Sequence, residues 1–345
     1  MNALEKLSRG AVIPAVPLVL DNNRQFHESG QKRLIRYYLE SGCGGVAAGV
    51  HTTQFEIRQH GLFECVMNSV VQEINHFEKK TNGVVVKVAG VCGEIAQAVR
   101  EANFLKSIGY DAVLLSPGGL SHLSEDVLLE RTKIIADIMP VIGFYLQPAA
   151  GGRLHSFEYW KKLVEIDNVI AIKCASFNRY QTLDVMRAVA LSGRADQIAM
   201  YTGNDDNIVI DLLTKYQFTV DEKVYEKRFV GGLLGHWAVW TSRVVELFEQ
   251  IKEESEKSHV SVEMLNLANQ ITDCNAAFFD VQNQFAGCIP GIHEVLRRQG
   301  LLENILCLNP EEQLSEGQKE EIDRVYRMYP HLNDDAFASK FLSCN

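Results

Sequence analysis

Residues 169–176 read Val-Ile-Ala-Ile-Lys-Cys-Ala-Ser, with Asp167-Asn168 before them and Asn178 after them. The run is short, apolar, partly β-branched and bounded by turn residues, which predicts a buried strand ending at Lys173. A lysine at the end of such a strand is unusual. Burial disfavours its ammonium form, lowers the amine pKa and makes it a candidate nucleophile for imine formation. The plainer alternative is a strand-end lysine whose tip simply reaches water.

Outward from this stretch, apolar runs alternate with helical periodicity. The expected strand ends fall near 19, 48, 89, 116, 145, 173, 203 and 233, mostly about 30 residues apart. That is the length of one strand, one helix and two loops. Eight such units predict an α/β chain folded as a (β/α)8 TIM barrel. An open doubly wound sheet is the alternative, weakened because no G-x-G-x-x-G opens a helix after the first strand. The first strand lies within 11–20, and Pro14 and Pro17 should leave it short or bulged. A helix is expected over 61–79, and a polar insertion at 218–228 precedes the eighth strand. Beyond the barrel, 260–285 has the spacing of one long helix, with shorter helices at 292–299 and 319–328. The expected organisation is a barrel over 1–255 and a helical C-terminal region over 256–345, with no assignment for the tail from His331.

The chain has 345 residues, 46% of them apolar, a net charge of −10 and a pI near 5.5. Such a balance argues against a nucleic-acid partner or an anionic membrane surface. No apolar run reaches 18 residues, and Met1 to Gly10 lacks the apolar core of a signal peptide. Eight scattered cysteines without a C-x-x-C pair predict free thiols in a reducing compartment. A soluble cytoplasmic protein is the expectation.

In a barrel the site lies at the C-terminal ends of the strands. Those ends supply Gly49-Val50-His51-Thr52-Thr53, Ser116-Pro117-Gly118-Gly119, Tyr145, Lys173, Gly203-Asn204-Asp205 and Gly231-Gly232. Tyr145 and Lys173 are one strand–helix unit apart, so they should stand on neighbouring strands at one height. A phenol beside an imine-forming amine can carry protons; an amphipathic cap on the barrel mouth is the other reading of Tyr145. His51 could be a metal ligand, a general base or a donor to a carboxylate. Its candidate metal companions, Glu56, His122 and Asp205, show no ligand spacing, so no metal is expected. Gly231-Gly232 allows a phosphate-binding loop as a weak reading.

The order Tyr145-Leu146-Gln147-Pro148, then Ile-Ala-Ile-Lys at 170–173, then Thr-Gly-Asn-Asp at 202–205, resembles the dihydrodipicolinate synthase / N-acetylneuraminate lyase family over roughly residues 8–300. The resemblance implies a class I aldolase on a (β/α)8 barrel with a helical C-terminal region, assembled as a dimer or tetramer and needing no cofactor. It makes Lys173 the Schiff-base lysine and Tyr145 the proton-shuttling tyrosine, and places Gly49, Val50, His51, Thr52, Gly203 and Gly231 around the substrate. The departures are specific. The family's Gly-Thr-Thr-Gly-Glu loop appears as Gly49-Val50-His51-Thr52-Thr53, so Val50 replaces a relay hydroxyl and His51 a carboxylate-binding threonine. Gly118 and Gly119 replace an aromatic pair, and Ala149-Ala150 stand where synthases of lysine biosynthesis carry an arginine; Arg153 is nearby but not equivalent. These changes argue against dihydrodipicolinate synthase activity itself and for a different, bulkier carbonyl substrate, a 2-keto acid or a relative of one, handled by a carbon–carbon or carbon–oxygen lyase. The rival readings are a non-catalytic ligand-binding or regulatory barrel and a metal-dependent barrel aldolase.

Overall fold

The computed structural model describes residues 1–344; Asn345, the last residue of the expected C-terminal region, lies outside them. The strands are β1 (Val12–Pro14), β2 (Gly45–Ala48), β3 (Val86–Val91), β4 (Ala112–Leu115), β5 (Val141–Leu146), β6 (Val169–Ala175), β7 (Ala199–Thr202), β8 (Tyr216–Val220), β9 (Lys223–Lys227) and β10 (Phe229–Leu234). Eight of them form one parallel sheet in the order β1-β10-β7-β6-β5-β4-β3-β2. A single parallel bridge, Ala15 to Ala47, with the Val16 N–H donating to the Ala47 carbonyl at 2.8 Å, brings β1 against β2. The result is the expected TIM barrel.

The helices are α1 (Ala3–Arg9), α2 (Glu28–Glu40), α3 (Phe63–Thr81), α4 (Ile95–Ile108), α5 (Glu125–Ala136), α6 (Phe157–Val164), α7 (Arg179–Ala190), α8 (Ile208–Leu213), α9 (Thr241–Ser255), α10 (Val262–Phe278), α11 (Cys288–Arg298), α12 (Gln318–Met328) and α13 (Asp335–Cys344). Their starts are set by local chemistry. Ser124, Ser156, Asn178 and Ser261 each accept a backbone N–H in the first turn of α5, α6, α7 and α10, satisfying donors that a helix otherwise leaves open.

Side chains alternate between two buried layers, as strand geometry requires. The inner layer includes Ile13, Ala47, Val88, Leu114, Ile142, Phe144, Ala171, Ala175 and Tyr201. The outer layer, between strands and helices, includes Val46, Val113, Tyr145, Ile172, Cys174 and Met200. Buried on both faces, the barrel strands are mostly apolar, with Lys87, Lys173 and Thr202 as exceptions, which is why they read as continuous runs.

Several boundaries differ from expectation. The 11–20 segment keeps only three residues of strand, because Pro14 and Pro17 lack the N–H a ladder needs. The 61–79 helix starts two residues later, at Phe63. The polar insertion is an antiparallel hairpin, β8 paired with β9. The expected long helix at 260–285 stops at Phe278, and Asp280, Gln284 and Phe285 then adopt positive φ. The tail carries α13, anchored where buried Asp334 accepts from the Tyr37 hydroxyl at 2.6 Å, the Gln299 amide at 2.7 Å and the Ser242 N–H at 2.9 Å.

Candidate active site

Lys173 lies on the face of β6 shared with Ala171 and Ala175, so its side chain enters the barrel. The cavity it enters lies at the C-terminal ends of the strands and encloses roughly 900 Å³, counting the part open to solvent. A Cβ at position 203 would lie 2.6 Å from Lys173 Cε. Glycine there is what lets the lysine stem cross β7. The ammonium stands 4.5 Å from the Phe144 ring centroid.

Phe144 occupies the place expected of Tyr145. Val141 pairs with Val169, but Ile142 pairs with Ala171, so Ile170 is an extra residue in β6. Beyond this bulge Phe144 is opposite Lys173, and Tyr145 is opposite Cys174. A slip of one residue sends a side chain to the other face of a sheet. Tyr145 accordingly points outward, stacked on Trp160 at 5.2 Å and edge-on to His155 at 5.8 Å. It does not line the cavity that Lys173 enters.

Asp205 does. The loop after β7 carries it, and its carboxylate accepts the His236 N–H at 3.2 Å. Burial raises its pKa, an effect opposed by that hydrogen bond and by the charge of Lys173. For Lys173, loss of solvation lowers the pKa and the charge of Asp205 opposes the fall. Both groups are therefore held away from their charged forms. His51 is pulled down to about 4 by burial, with the Lys173 charge adding to it, so it is neutral near pH 7.

The loops that present these groups share one buried network. Asp211 accepts from Thr202 Oγ1 at 2.7 Å and Asn204 Nδ2 at 2.8 Å, and is paired with Arg179. Asn204 in turn accepts the Phe177 N–H at 3.0 Å, tying the loop after β6 to the loop after β7. From the C-terminal region, Asn275 donates to the Asp205 carbonyl at 2.7 Å, and Phe279, Phe285, Cys288 and Ile292 complete the cavity wall.

A sequence model of the Dihydrodipicolinate synthetase family matches residues 8–215. The chain belongs to this family. An N-acetylneuraminate lyase 2 from Escherichia coli O6:H1 is 24% identical over 304 residues, covering 87% of each chain. A 4-hydroxy-tetrahydrodipicolinate synthase from Desulforudis audaxviator is 25% identical over 211 residues, 59% of this chain and 66% of that one. Among solved structures, dihydrodipicolinate synthase from Oceanobacillus iheyensis superposes with a TM-score of 0.73 at 16% identity, covering 96% of this chain and all of that one. N-acetylneuraminate lyase from Fusobacterium nucleatum gives 0.70 at 15% identity, covering 94% and 98%. The family thus comprises synthases and lyases on one barrel.

In this dihydrodipicolinate synthetase family member the expected site residues divide sharply. Lys173, Val50, His51, Thr52 and Gly203 line the cavity. The Thr52 hydroxyl donates to the Val16 carbonyl at 3.2 Å, so its proton serves the loop. Gly49 sits with φ +68°, and a Cβ there would face Met67 outside the barrel, 3.2 Å from its sulfur. Gly231 and Gly232 are not a loop but the interior of β10, and a Cβ at 231 would lie 2.6 Å from the Ala11 carbonyl oxygen. Of His51's possible metal companions, His122 stands exposed beside Glu94. Among the described residues no three of His, Cys, Asp and Glu gather as a metal cluster. Phe144, Phe177 and the C-terminal wall carried no sequence signal of a site; Asp205 did, as the last residue of Thr-Gly-Asn-Asp. Among the same residues no helix is long and apolar enough to cross a membrane, and none of the eight cysteines is bonded to another.

Proposed function

We propose that this protein is a class I lyase that forms an imine between Lys173 and a 2-keto acid or related carbonyl compound. One observation carries the reading: among the described residues Lys173 is the only lysine or arginine lining the cavity, and it is held toward its neutral, nucleophilic form opposite a carboxyl held toward its protonated form. The similar lyase from Fusobacterium nucleatum was crystallised with pyruvate, which supports a small 2-keto acid as the first partner.

Neutral Lys173 attacks the carbonyl carbon. The resulting carbinolamine loses its hydroxyl as water, with a proton from Asp205, and leaves a protonated imine. That cation withdraws electrons from the adjacent carbon. In cleavage, the Asp205 carboxylate takes the proton of the substrate hydroxyl, the carbon–carbon bond breaks, and an aldehyde departs. The electron pair stays behind as an enamine; Asp205 gives its proton to the enamine carbon, and water hydrolyses the resulting imine to return keto acid and lysine. Asp205 takes the proton-carrying role that Tyr145, on the outer face, is not placed to perform. His51 and the backbone N–H of Thr52 supply neutral donors to the substrate carboxylate.

Borohydride reduction in the presence of pyruvate and larger 2-keto acids, read by intact mass and peptide mapping, tests the reading. A stable adduct on Lys173 is expected, absent from Lys173→Ala, with turnover in that variant reduced at least roughly a thousandfold. Absence of an adduct with every keto acid would overturn the imine and leave a barrel that only binds.

A further inference from the structure

The outer part of the cavity has a chemistry of its own. The polar lining groups come from the strand ends and the loops that follow them. The wall supplied by the C-terminal region is Phe279, Phe285, Ile292 and the thiol of Cys288. Phe177, just after β6, reaches across to Phe285, with ring centroids 5.7 Å apart. Both phenylalanines have left-handed backbones, φ +51° at Phe177 and +68° at Phe285. A bulky residue rarely adopts that conformation, and it persists only where the surroundings impose it.

Here the surroundings do. The Phe177 N–H is held by buried Asn204. The Phe285 N–H donates to the Asp280 carbonyl at 3.0 Å, and the Asp280 carboxylate holds the Gly287 N–H at 2.9 Å. Two independent loops are therefore bent to bring two rings together over the same cavity. Among the described residues no cation other than Lys173 lines it, so an anionic second reactant would lose solvation without finding a counter-charge. A polyhydroxylated chain would leave hydroxyl groups against this apolar wall, whereas an apolar ring would gain contact with it.

On the imine reading above, we propose that the second reactant, the aldehyde released or consumed at Lys173, carries an uncharged apolar group of aromatic size that seats against Phe177, Phe279 and Phe285. In the condensation direction Asp205 takes a proton from the carbon beside the Lys173 imine, the enamine carbon so formed attacks the aldehyde carbon, and Asp205 passes its proton to the aldehyde oxygen, which becomes the new hydroxyl. Hydrolysis of the imine then releases the hydroxy keto acid.

The test uses the full chain in two stages. Borohydride trapping with pyruvate first establishes the imine. Pyruvate is then supplied with benzaldehyde, glyceraldehyde or succinic semialdehyde, and products are quantified by mass spectrometry. A kcat/KM for benzaldehyde at least tenfold above the other two is expected. Phe285→Ala should erase most of that preference, and Phe285→Leu, which keeps apolar volume, should reduce it while preserving the fold. Trapping with pyruvate followed by equal or faster condensation with glyceraldehyde or succinic semialdehyde would overturn the inference and leave the imine standing. An unchanged preference in both Phe285 variants would overturn it too. No trapping with any keto acid would overturn both.

Discussion

Strands β5 and β6 present two faces built from alternate residues of the same two segments, and the faces have opposite characters. On the outer face, Tyr145 and Cys174 are packed into aromatic and hydroxyl neighbours, Tyr145 against Trp160 and His155, Cys174 beside Ser176 and Thr182. On the inner face, Lys173 has among the described residues no hydrogen bond or ion pair, only the Phe144 ring beneath its ammonium and the field of Asp205. The outer face is closely packed, although the Tyr145 hydroxyl has no hydrogen-bond partner among the described residues, and the inner face keeps the Lys173 amine uncommitted. A stable barrel can carry these unpaired groups because the apolar packing around them is close.

The largest effect expected of a proton-carrying group breaks the inner face. Asp205→Asn removes the group assigned to proton transfer, and turnover should fall by roughly a hundredfold or more, within the range for a lost acid–base group. The pH dependence adds a second, independent readout. The Asp205 charge raises the Lys173 pKa, so its removal lets that pKa fall further. Trapping needs the neutral amine, so its rate rises with pH, and its midpoint in Asp205→Asn should move to lower pH than in the wild type. Turnover within about threefold of wild type, or a midpoint moved upward, would separate Asp205 from the chemistry.

Lys173→Met tests what the uncommitted amine costs the fold. The folded pKa of Lys173 lies below its ordinary value, so folding disfavours its charged form. That penalty is fully present below the folded pKa and disappears as pH rises past the unfolded value near 10.4. Methionine keeps much of the stem's apolar contact without the charge. The variant should be inactive yet more stable by roughly 1 kcal/mol near neutral pH, with the gain shrinking as pH climbs toward 10. Thermal melts across that range check it; a less stable variant would mean that the Asp205 field outweighs the lost solvation.

The sequence made the barrel legible because its signal is repeated. Eight apolar runs at near-constant spacing leave few alternatives, and Ile-Ala-Ile-Lys marks its own strand. Much of the candidate site's lining was legible for the same local reason: Val50, His51, Thr52, Gly203 and Lys173, which line the cavity, follow directly from strand ends. What escaped was non-local. The aromatic wall belongs to residues 279–292, more than a hundred positions from Lys173, and nothing in a helical pattern says which barrel mouth it covers. Positive φ at Asp280, Gln284 and Phe285 is invisible in residue types that usually avoid it. Tyr145 escaped for a subtler reason. The 28-residue interval to Lys173 is a valid register at Val141–Val169, and the extra residue Ile170 changes it above that point.

That one-residue bulge makes the smallest expected effect the sharpest test of the two faces. Tyr145→Phe removes a hydroxyl and leaves the ring on Trp160. If Tyr145 belongs to the outer layer, turnover and trapping should stay within about twofold of wild type, and stability should change by no more than about 1 kcal/mol, because the buried phenol has no hydrogen-bond partner to lose. If its phenol instead reaches the reacting atoms, the same change removes a proton carrier and turnover should fall by roughly a hundredfold with stability little altered. The two outcomes differ about fiftyfold, far beyond the scatter of a kinetic assay. A large loss would mean that β6 pairs with β5 without the bulge, with Tyr145 and Lys173 on one face; it would also remove the need for Asp205 as the proton carrier. A near-silent variant, set beside a crippled Asp205→Asn, would fix the chemistry on the inner face alone.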